Sequence, residues 1–204
     1  NIGVSGGFDY RFSDRFVAGL GIGFSRDRTD VGNNGTESEA HAFSAAVYGS
    51  FEPVDNFFID GLFGGGTLNF DSRRFVTSTG DFAIGERDGS QVFGSLTAAY
   101  ELREESWLVS PYARVEFSRS WLDEFTETGG GIYNLTYGKQ TVDSFSGILG
   151  VRANKAFEMD WGILRPGIRA EYVHDFDGSS RARLGYADLG GLPYEVELQD
   201  KERD

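Results

Sequence analysis

The sequence predicts an all-β fold, an antiparallel up-and-down barrel of the outer-membrane type, as a single domain over residues 1–204. Three observations lead to this class. Apolar and polar residues alternate along segments longer than the roughly 5–6 residues typical of soluble strands. Short polar connections alternate with long polar loops along the chain, and aromatic residues are concentrated at the ends of the segments. A membrane strand needs about 9–11 residues, so the segment lengths favour a barrel that crosses a bilayer.

Very short polar connections divide the chain into strand pairs. They cover residues 13–14, 54–56, 104–106 and 159–160. At the other end the pairs are joined by polar loops, and a polar tail follows the last strand. The loops cover 27–39, 77–88 and 124–140, and the tail covers 177–204. Bacterial barrels keep their short turns in the periplasm, which predicts that the long loops face outside the cell.

The first hairpin, residues 2–12 and 16–25, shows the alternation clearly. One parity of its first strand holds Ile2, Val4, Gly6, Phe8, Tyr10 and Phe12. The other parity holds only small or polar residues. Successive strand residues point to opposite faces, so each strand has one apolar face and one small or polar face.

Three further segments, 42–51, 57–70 and 91–102, continue the pattern. In the second of them, the parity of the apolar residues changes across Gly64, Gly65 and Gly66. A β-bulge exchanges the two faces of a strand, so the change predicts a bulge at these glycines.

The last three strands, 107–121, 144–157 and 161–176, contain an internal repeat. Residues 111–117 read PYARVEF and residues 166–172 read PGIRAEY, each preceded by a tryptophan. Proline cannot donate to the hydrogen-bond ladder, so Pro111 and Pro166 are each predicted to mark a bulge or break near the short-turn rim. These strands complete a set of eight.

The repeat also places charged residues on the polar parity of neighbouring strands. A charge on the lipid side costs about 2–4 kcal/mol at the bilayer midplane, so these residues belong inside. The predicted lumen-lining belt is Tyr112, Arg114, Glu116, Arg152, Arg169 and Glu171. Two interpretations stay open: lining residues that only neutralise one another, or a polar, conductive lumen that accommodates an extended polypeptide.

The opposite parity is predicted to face lipid. Its representatives are Leu20, Ile22, Leu96, Val115 and Ile168. Amphipathic rings at the strand ends form the interfacial girdles of a barrel. The predicted girdle residues are Tyr10, Phe12, Tyr100, Trp107 and Trp161 beside the short turns, and Trp121 towards the long loops. A soluble barrel would also alternate, but its outer face should carry many Lys and Glu, whereas this polar parity is mostly Gly, Ser, Ala and Thr.

Composition excludes several kinds of chemistry. The chain has no cysteine, which removes thiolate metal sites and thiol nucleophiles. A net charge of −13 argues against nucleic acid as a partner. No catalytic site, metal site or cofactor is predicted. The one candidate acid–base cluster is His174 with Asp175 or Asp177, and adjacent strand residues point apart, which makes His174 and Asp175 a poor pair.

With these motifs in order, the chain resembles the translocator β-domain of type V autotransporters. The matching phrases are residues 7–10, 16–25, 110–117, 149–152, 164–175 and 194–204. The resemblance implies a twelve-stranded barrel in a Gram-negative outer membrane. The eight strands would be its second to ninth, with the first strand and the last three outside this sequence.

The resemblance also implies partners and a function. The barrel would anchor an N-terminal passenger and help to export it, with the linker running through the lumen and the barrel assembly machinery and outer-membrane lipid as further partners. Two alternatives remain: a porin or adhesin-type barrel without a passenger, and an outer-membrane hydrolase that uses His174.

Overall fold

Antiparallel strands form most of this computed structural model, which describes residues 1–32, 34–176 and 179–199. In chain order the strands are β1 (Ile2–Ser13), β2 (Phe16–Val31), β3 (Thr36–Val54), β4 (Phe57–Val76), β5 (Asp81–Tyr100), β6 (Leu102–Arg103), β7 (Trp107–Leu122), β8 (Phe125–Thr126), β9 (Leu135–Tyr137), β10 (Gln140–Lys155), β11 (Phe157–Met159), β12 (Gly162–Leu164), β13 (Gly167–Asp175), β14 (Ser179–Tyr186) and β15 (Tyr194–Gln199). Two short 3-10 helices cover Gly131–Tyr133 and Ala187–Leu189. Among the described residues, no helix is both long enough and apolar enough to cross a membrane.

The main sheet follows the order β1-β2-β3-β4-β5-β7-β10-β13, and β6 pairs with β7. Every pairing along this order is antiparallel, and the strands appear in the sheet in the same order as in the chain. This is the up-and-down topology that the alternation predicted. A separate hairpin pairs β11 with β12, and a second, four-stranded sheet has the order β15-β14-β9-β8.

The predicted eight strands and short connections are confirmed to within a few residues at the short-turn rim. The first two turns are at residues 14–15 and 55–56, and Asn56 takes a left-handed conformation with φ of 66°. The third connection lies between β6 and β7, and the fourth lies between β11 and β12.

Two of the predicted loops are wrong in extent. Most of 27–39 and 77–88 is strand, because β2 and β3 continue to Val31 and Thr36, and β4 and β5 continue to Val76 and Asp81. Polar residues form cross-strand ion pairs there, including Arg26 Nε with Glu39 Oε1 at 2.6 Å. The alternation of charged residues along these extensions therefore signals exposed strands, which sequence reasoning took as loops.

The third loop and the tail also contain strands. Residues 124–140 include β8, β9 and a 3-10 helix, and 177–204 includes β14 and β15. These strands pair with one another between the two segments, since β14 pairs with β9. Such long-range pairing leaves no local signal in either segment. Residues 200–204 lie outside the described chain.

The bulge predicted at Gly64–Gly66 is wrong. The register runs without a shift through Gly64, opposite Ala46 on one side and Phe93 on the other. A Cβ at Gly64 would lie 2.6 Å from the Ala45 carbonyl oxygen and 2.8 Å from the Phe93 ring. The glycine therefore makes room for its neighbours, and the faces do not exchange. The observed register shifts lie near the short turns, at 11–13 and 51–54.

The two prolines behave differently. Pro166 separates β12 from β13, as predicted. Pro111 lies inside an unbroken β7, opposite Val151 in β10, so the break predicted at this residue is wrong. The interruption is in the neighbouring strand instead, where β5 ends at Tyr100 and β6 begins at Leu102. Pro111 has no backbone N–H to donate, and it lies beside the interruption between β5 and β6, where neither strand has a register partner for it.

The two faces of the main sheet differ in enclosure. Residues opposite each other in the register share a face. By this rule the buried side chains of the main sheet all lie on the face that also carries Arg114. They are Val76, Ala83, Ala99, Ser110, Tyr112, Ser146 and Ile148. No large side chain of the described residues is fully buried, so the described chain has no dry central core.

Candidate functional site

The face named here the apolar face carries Leu20, Ile22, Leu96, Val115 and Ile168. Register connects these positions across the sheet, for example Leu20 with Val47 and Leu96 with Val115. All five are exposed, from 42% for Val115 to 79% for Ile168. Exposed apolar residues in one continuous band are the reverse of a soluble barrel, whose apolar residues would be buried inside.

The apolar face ends at a sharp boundary. Along β2 it holds Phe16, Ala18, Leu20, Ile22 and Phe24 and then changes to Arg26 and Arg28. The neighbouring β3 changes in the same way, because Phe24 lies opposite Phe43 and Arg26 lies opposite His41. The apolar stretch matches the roughly 9–11 residues of a membrane strand, and the ion-paired extensions begin beyond it.

The predicted girdle residues are at the ends of this band. All six are exposed, and Trp161 reaches 74%. Tyr10 and Phe12 contact edge to face, with ring centroids 5.0 Å apart, at the short-turn end. Trp121 lies at the other end of β7, opposite Thr141.

The opposite face, named here the polar face, brings the six predicted lining residues together. Tyr112 Oη donates to Glu171 Oε1 at 2.5 Å, and Arg114 Nη2 lies 3.2 Å from the same oxygen. Arg169 Nε lies 3.6 Å from Glu171 Oε2. Glu171 is therefore held by residues of two strands, β7 and its own β13, although it is separated by 59 residues from Tyr112.

The rest of the belt surrounds this centre. Arg114 Nε lies 3.0 Å from Glu116 Oε1. The Arg152 guanidinium carbon is 5.1 Å from the centroid of the Tyr112 ring, a cation–π contact. Three guanidiniums and two carboxylates thus form one mixed-charge cluster on the enclosed side of the sheet.

A residue that sequence reasoning missed organises the cluster. Gly150 lies between Tyr112 and Glu171 in the register, on the same face. A Cβ at Gly150 would overlap the Tyr112 Cζ atom, so the ring occupies the space that a side chain would need. The signal was present as a glycine on the polar parity of β10, but its partner depends on register.

The candidate acid–base cluster does not assemble. His174 lies opposite Gly147 on the apolar face, and its ring meets Phe176 edge to face at 4.7 Å between centroids. Asp175 lies opposite Ser146 on the polar face. Asp177 is outside the described residues. No group of three or more metal-ligating side chains occurs in the described ranges.

An exposed apolar face, an enclosed charged face and an up-and-down antiparallel sheet define an outer-membrane β-barrel protein. The family model described as the autotransporter beta-domain matches residues 1–204. The chain belongs to the autotransporter beta-domain family. This family, together with the outer-membrane relatives described next, places the domain in the Gram-negative outer membrane as a translocator barrel.

Curated relatives agree with this placement. The esterase EstA of Pseudomonas aeruginosa is 23% identical over 193 residues, which are 92% of this chain and 29% of EstA. Outer membrane protein B of Rickettsia rickettsii is 26% identical over 189 residues, 86% of this chain and 11% of that protein. The chain spans less than a third of the length of these relatives.

Solved structures share the fold. The translocator domain of the autotransporter NalP from Neisseria meningitidis superposes with a TM-score of 0.74 at 15% identity, covering 90% of this chain and 67% of that chain. The beta domain of the Bordetella autotransporter BrkA gives a TM-score of 0.57 at 16% identity, covering 97% of this chain and 82% of that chain.

Proposed function

We propose that this chain anchors an N-terminal passenger in the outer membrane and helps to export it through a lumen lined by the polar face. The observation that carries the proposal is the register-wide separation of faces. Apolar residues stay exposed on one side through the length of a membrane strand, while the charged network stays on the enclosed side.

The polar network suits a lumen that an extended polypeptide crosses. Backbone amides and carbonyls in transit need polar partners, and the belt offers guanidinium donors and carboxylate acceptors within one cluster. The contacts that Arg114 and Arg169 make with Glu171 keep these charges paired while the lumen is empty of a partner.

The proposal also includes two further partners, lipid and the assembly machinery, and a mode of action that needs no catalytic site. Outer-membrane lipid would contact the apolar face, and the barrel assembly machinery would insert the barrel. The domain would act without catalysis, metal or cofactor. The resemblance to EstA falls within the shared β-domain, since it covers 29% of that protein, and His174 faces away from Asp175.

A surface-exposure experiment tests export. An epitope is placed ahead of Asn1 in the natural full-length protein, and protease is added to intact cells. Export predicts that the epitope is cleaved while periplasmic markers stay intact. An inserted barrel, shown by heat-modifiable gel mobility, whose epitope stays protected would contradict export and favour the passenger-free porin or adhesin.

The hydrolase alternative has its own test. His174→Ala should leave any esterase activity of the natural full-length protein unchanged, because His174 lies on the apolar face beside Phe176. Loss of activity in a correctly inserted His174→Ala protein would restore the alternative.

A further inference from the structure

The segment between β7 and β10, residues 123–139, folds back onto the polar face of the main sheet. Its contacts with the main sheet are with the ends of β4 and β5 that lie farthest from the short turns, and its strand β9 also pairs with β14. Two arginines on the polar face make these contacts: Arg74, opposite the buried Ala83, and Arg87, opposite Phe70. The segment therefore lies at the loop-side end of the enclosed face.

Arg74 binds the middle of the segment. Its Nε donates to Glu127 Oε1 at 2.9 Å, and its Nη2 donates to the Tyr133 carbonyl at 2.8 Å. The Glu127 side chain is 3% exposed and also accepts from the Leu135 backbone N–H at 2.9 Å. The hydrogen bond that Arg74 donates to the Glu127 carboxylate is the largest cause that raises the pKa of Arg74, and it keeps the guanidinium charged. A carboxylate this enclosed is retained only with such partners.

Arg87 binds both ends of the segment. Its Nε donates to the Asp123 carbonyl at 2.7 Å, and its Nη2 donates to the Gly138 carbonyl at 3.0 Å. One guanidinium thus holds the point where the segment leaves β7 and the point where it returns to β10.

Apolar and backbone contacts complete the docking. The backbones of Ile84 and Thr128 exchange two hydrogen bonds of 2.8 Å each. Val76 and Ala83 are 4% and 0% exposed beneath Gly130, where a Cβ would lie 3.1 Å from the Ala83 Cβ. The segment is therefore packed against the polar face of the main sheet, and it covers Val76 and Ala83 at the end of the β4–β5 hairpin.

We propose that residues 123–139 form a gate that closes the loop-side mouth of the lumen, with Arg74 and Arg87 as its latch. The proposal rests on the proposed function, in which the polar face lines a lumen. Passage of a polypeptide then requires the segment to leave the wall, which breaks the Arg74–Glu127 and Arg87 contacts together.

The first test locks the gate. Ala83→Cys with Gly130→Cys places two thiols in a chain that has no cysteine of its own, near the Cβ separation of about 3.5–4.5 Å that a disulfide needs. In the natural full-length protein, oxidation should form the bond, visible as a gel shift that reductant reverses. Failure of the bond to form in a heat-modifiable barrel would show that the segment does not dock and would overturn the gate.

The second test releases the latch. Arg87→Gln combined with Glu127→Gln should raise single-channel conductance in planar bilayers several-fold over the unmutated protein. The oxidised double-cysteine protein should stay at the low level. Arg119→Gln is the matched control, because Arg119 pairs with Asp143 at 2.5 Å on the opposite face, and it should not change conductance.

The outcomes distinguish a failure of the gate from a failure of the lumen. Equal conductance of the oxidised double-cysteine protein and the Arg87→Gln/Glu127→Gln protein would overturn the gate and leave the translocator barrel intact. The absence of channels from every variant would overturn the lumen and the gate with it. Heat-modifiable mobility of each variant shows that it has folded. If the Arg87→Gln/Glu127→Gln protein does not fold, disulfide formation in the double-cysteine protein still tests whether the segment docks.

Discussion

At the residue scale, a single missing side chain sets the geometry of the charged belt. Gly150 leaves the space in which the Tyr112 ring lies, and that ring carries its hydroxyl to Glu171. Because the two partners sit on β7 and β13, the contact joins strands on either side of β10. A residue without a side chain thereby links three strands.

We predict that Gly150→Ala destabilises the barrel by about 1–3 kcal/mol, as overpacking of a filled site does. The added methyl displaces the Tyr112 ring and breaks its hydrogen bond to Glu171. Urea unfolding in detergent, followed by tryptophan fluorescence, measures the loss. Gly6→Ala is the control, because a Cβ there meets nothing within 4 Å and stability should not fall. Equal stability of the two variants would contradict the ring's dependence on Gly150.

A second residue-scale prediction concerns the extensions beyond the apolar face. The hydrogen bond from Arg26 is the largest cause that lowers the pKa of Glu39, and His41 adds to it. A lowered folded-state pKa stabilises the extension above the ordinary carboxyl range, and this stability is lost as the pH falls through the folded pKa.

Arg26→Gln should therefore raise the pKa of Glu39 towards its ordinary value, because the hydrogen bond from Arg26 is lost. Carboxyl carbon chemical shifts of Glu39, followed against pH, measure this directly. Arg119→Gln removes a different pair and should leave Glu39 unchanged. A Glu39 titration that does not move in Arg26→Gln would show that the pair does not form.

At the element scale, the strands are held in register by turns at one end and by charge pairs at the other. The β3–β4 turn contains Asn56 in a left-handed conformation, which asparagine adopts more readily than most residues. The Asn56 backbone N–H donates to Glu52 Oε1 at 2.8 Å, which ties the turn to β3.

Asn56→Ala should destabilise the hairpin by about 1 kcal/mol, because a Cβ opposes the left-handed conformation without the local hydrogen bonding of asparagine. Asn56→Gly should be neutral or slightly stabilising, since glycine reaches this conformation freely. Urea midpoints of the two variants measure the difference. A lower midpoint for Gly than for Ala would contradict the conformational argument.

At the scale of the whole molecule, alternate residues of one strand meet different surroundings. Leu96 lies on the apolar face opposite Val115, and the next residue, Thr97, lies on the polar face opposite Arg114. The translocator barrel depends on this separation being kept across the main sheet.

Leu96→Arg should reduce insertion strongly, because a cation on the lipid side costs about 2–4 kcal/mol near the midplane. Thr97→Arg adds the same charge one residue away and should insert close to the normal level. The heat-modifiable fraction in outer membranes compares them. Equal insertion of both variants would contradict the assignment of the two faces.

Much of the fold was predictable because strand periodicity is local. Parity along each strand separated the charged belt from the apolar residues, and the register keeps the two groups on opposite faces of the main sheet. The predictions failed where the same local pattern is compatible with two structures: a glycine with a bulge or with a close neighbour, and a charged stretch with a loop or with an exposed strand. Gly64 breaks the apolar pattern because it accommodates Phe93. Residues 26–31 and 36–39 are paired strand although their composition is that of a loop.

The sequence by itself determined the eight long strands of the main sheet, their order and, outside β4, which residues share a face, since each follows from alternation and turn spacing along neighbouring residues. Only the tertiary structure decided that Tyr112 reaches Glu171 across Gly150, and that Arg74 and Arg87 hold residues 123–139 against the wall. Those contacts join residues that are distant along the chain, so their existence depends on the register of whole strands and on the path of a loop, neither of which a local pattern encodes.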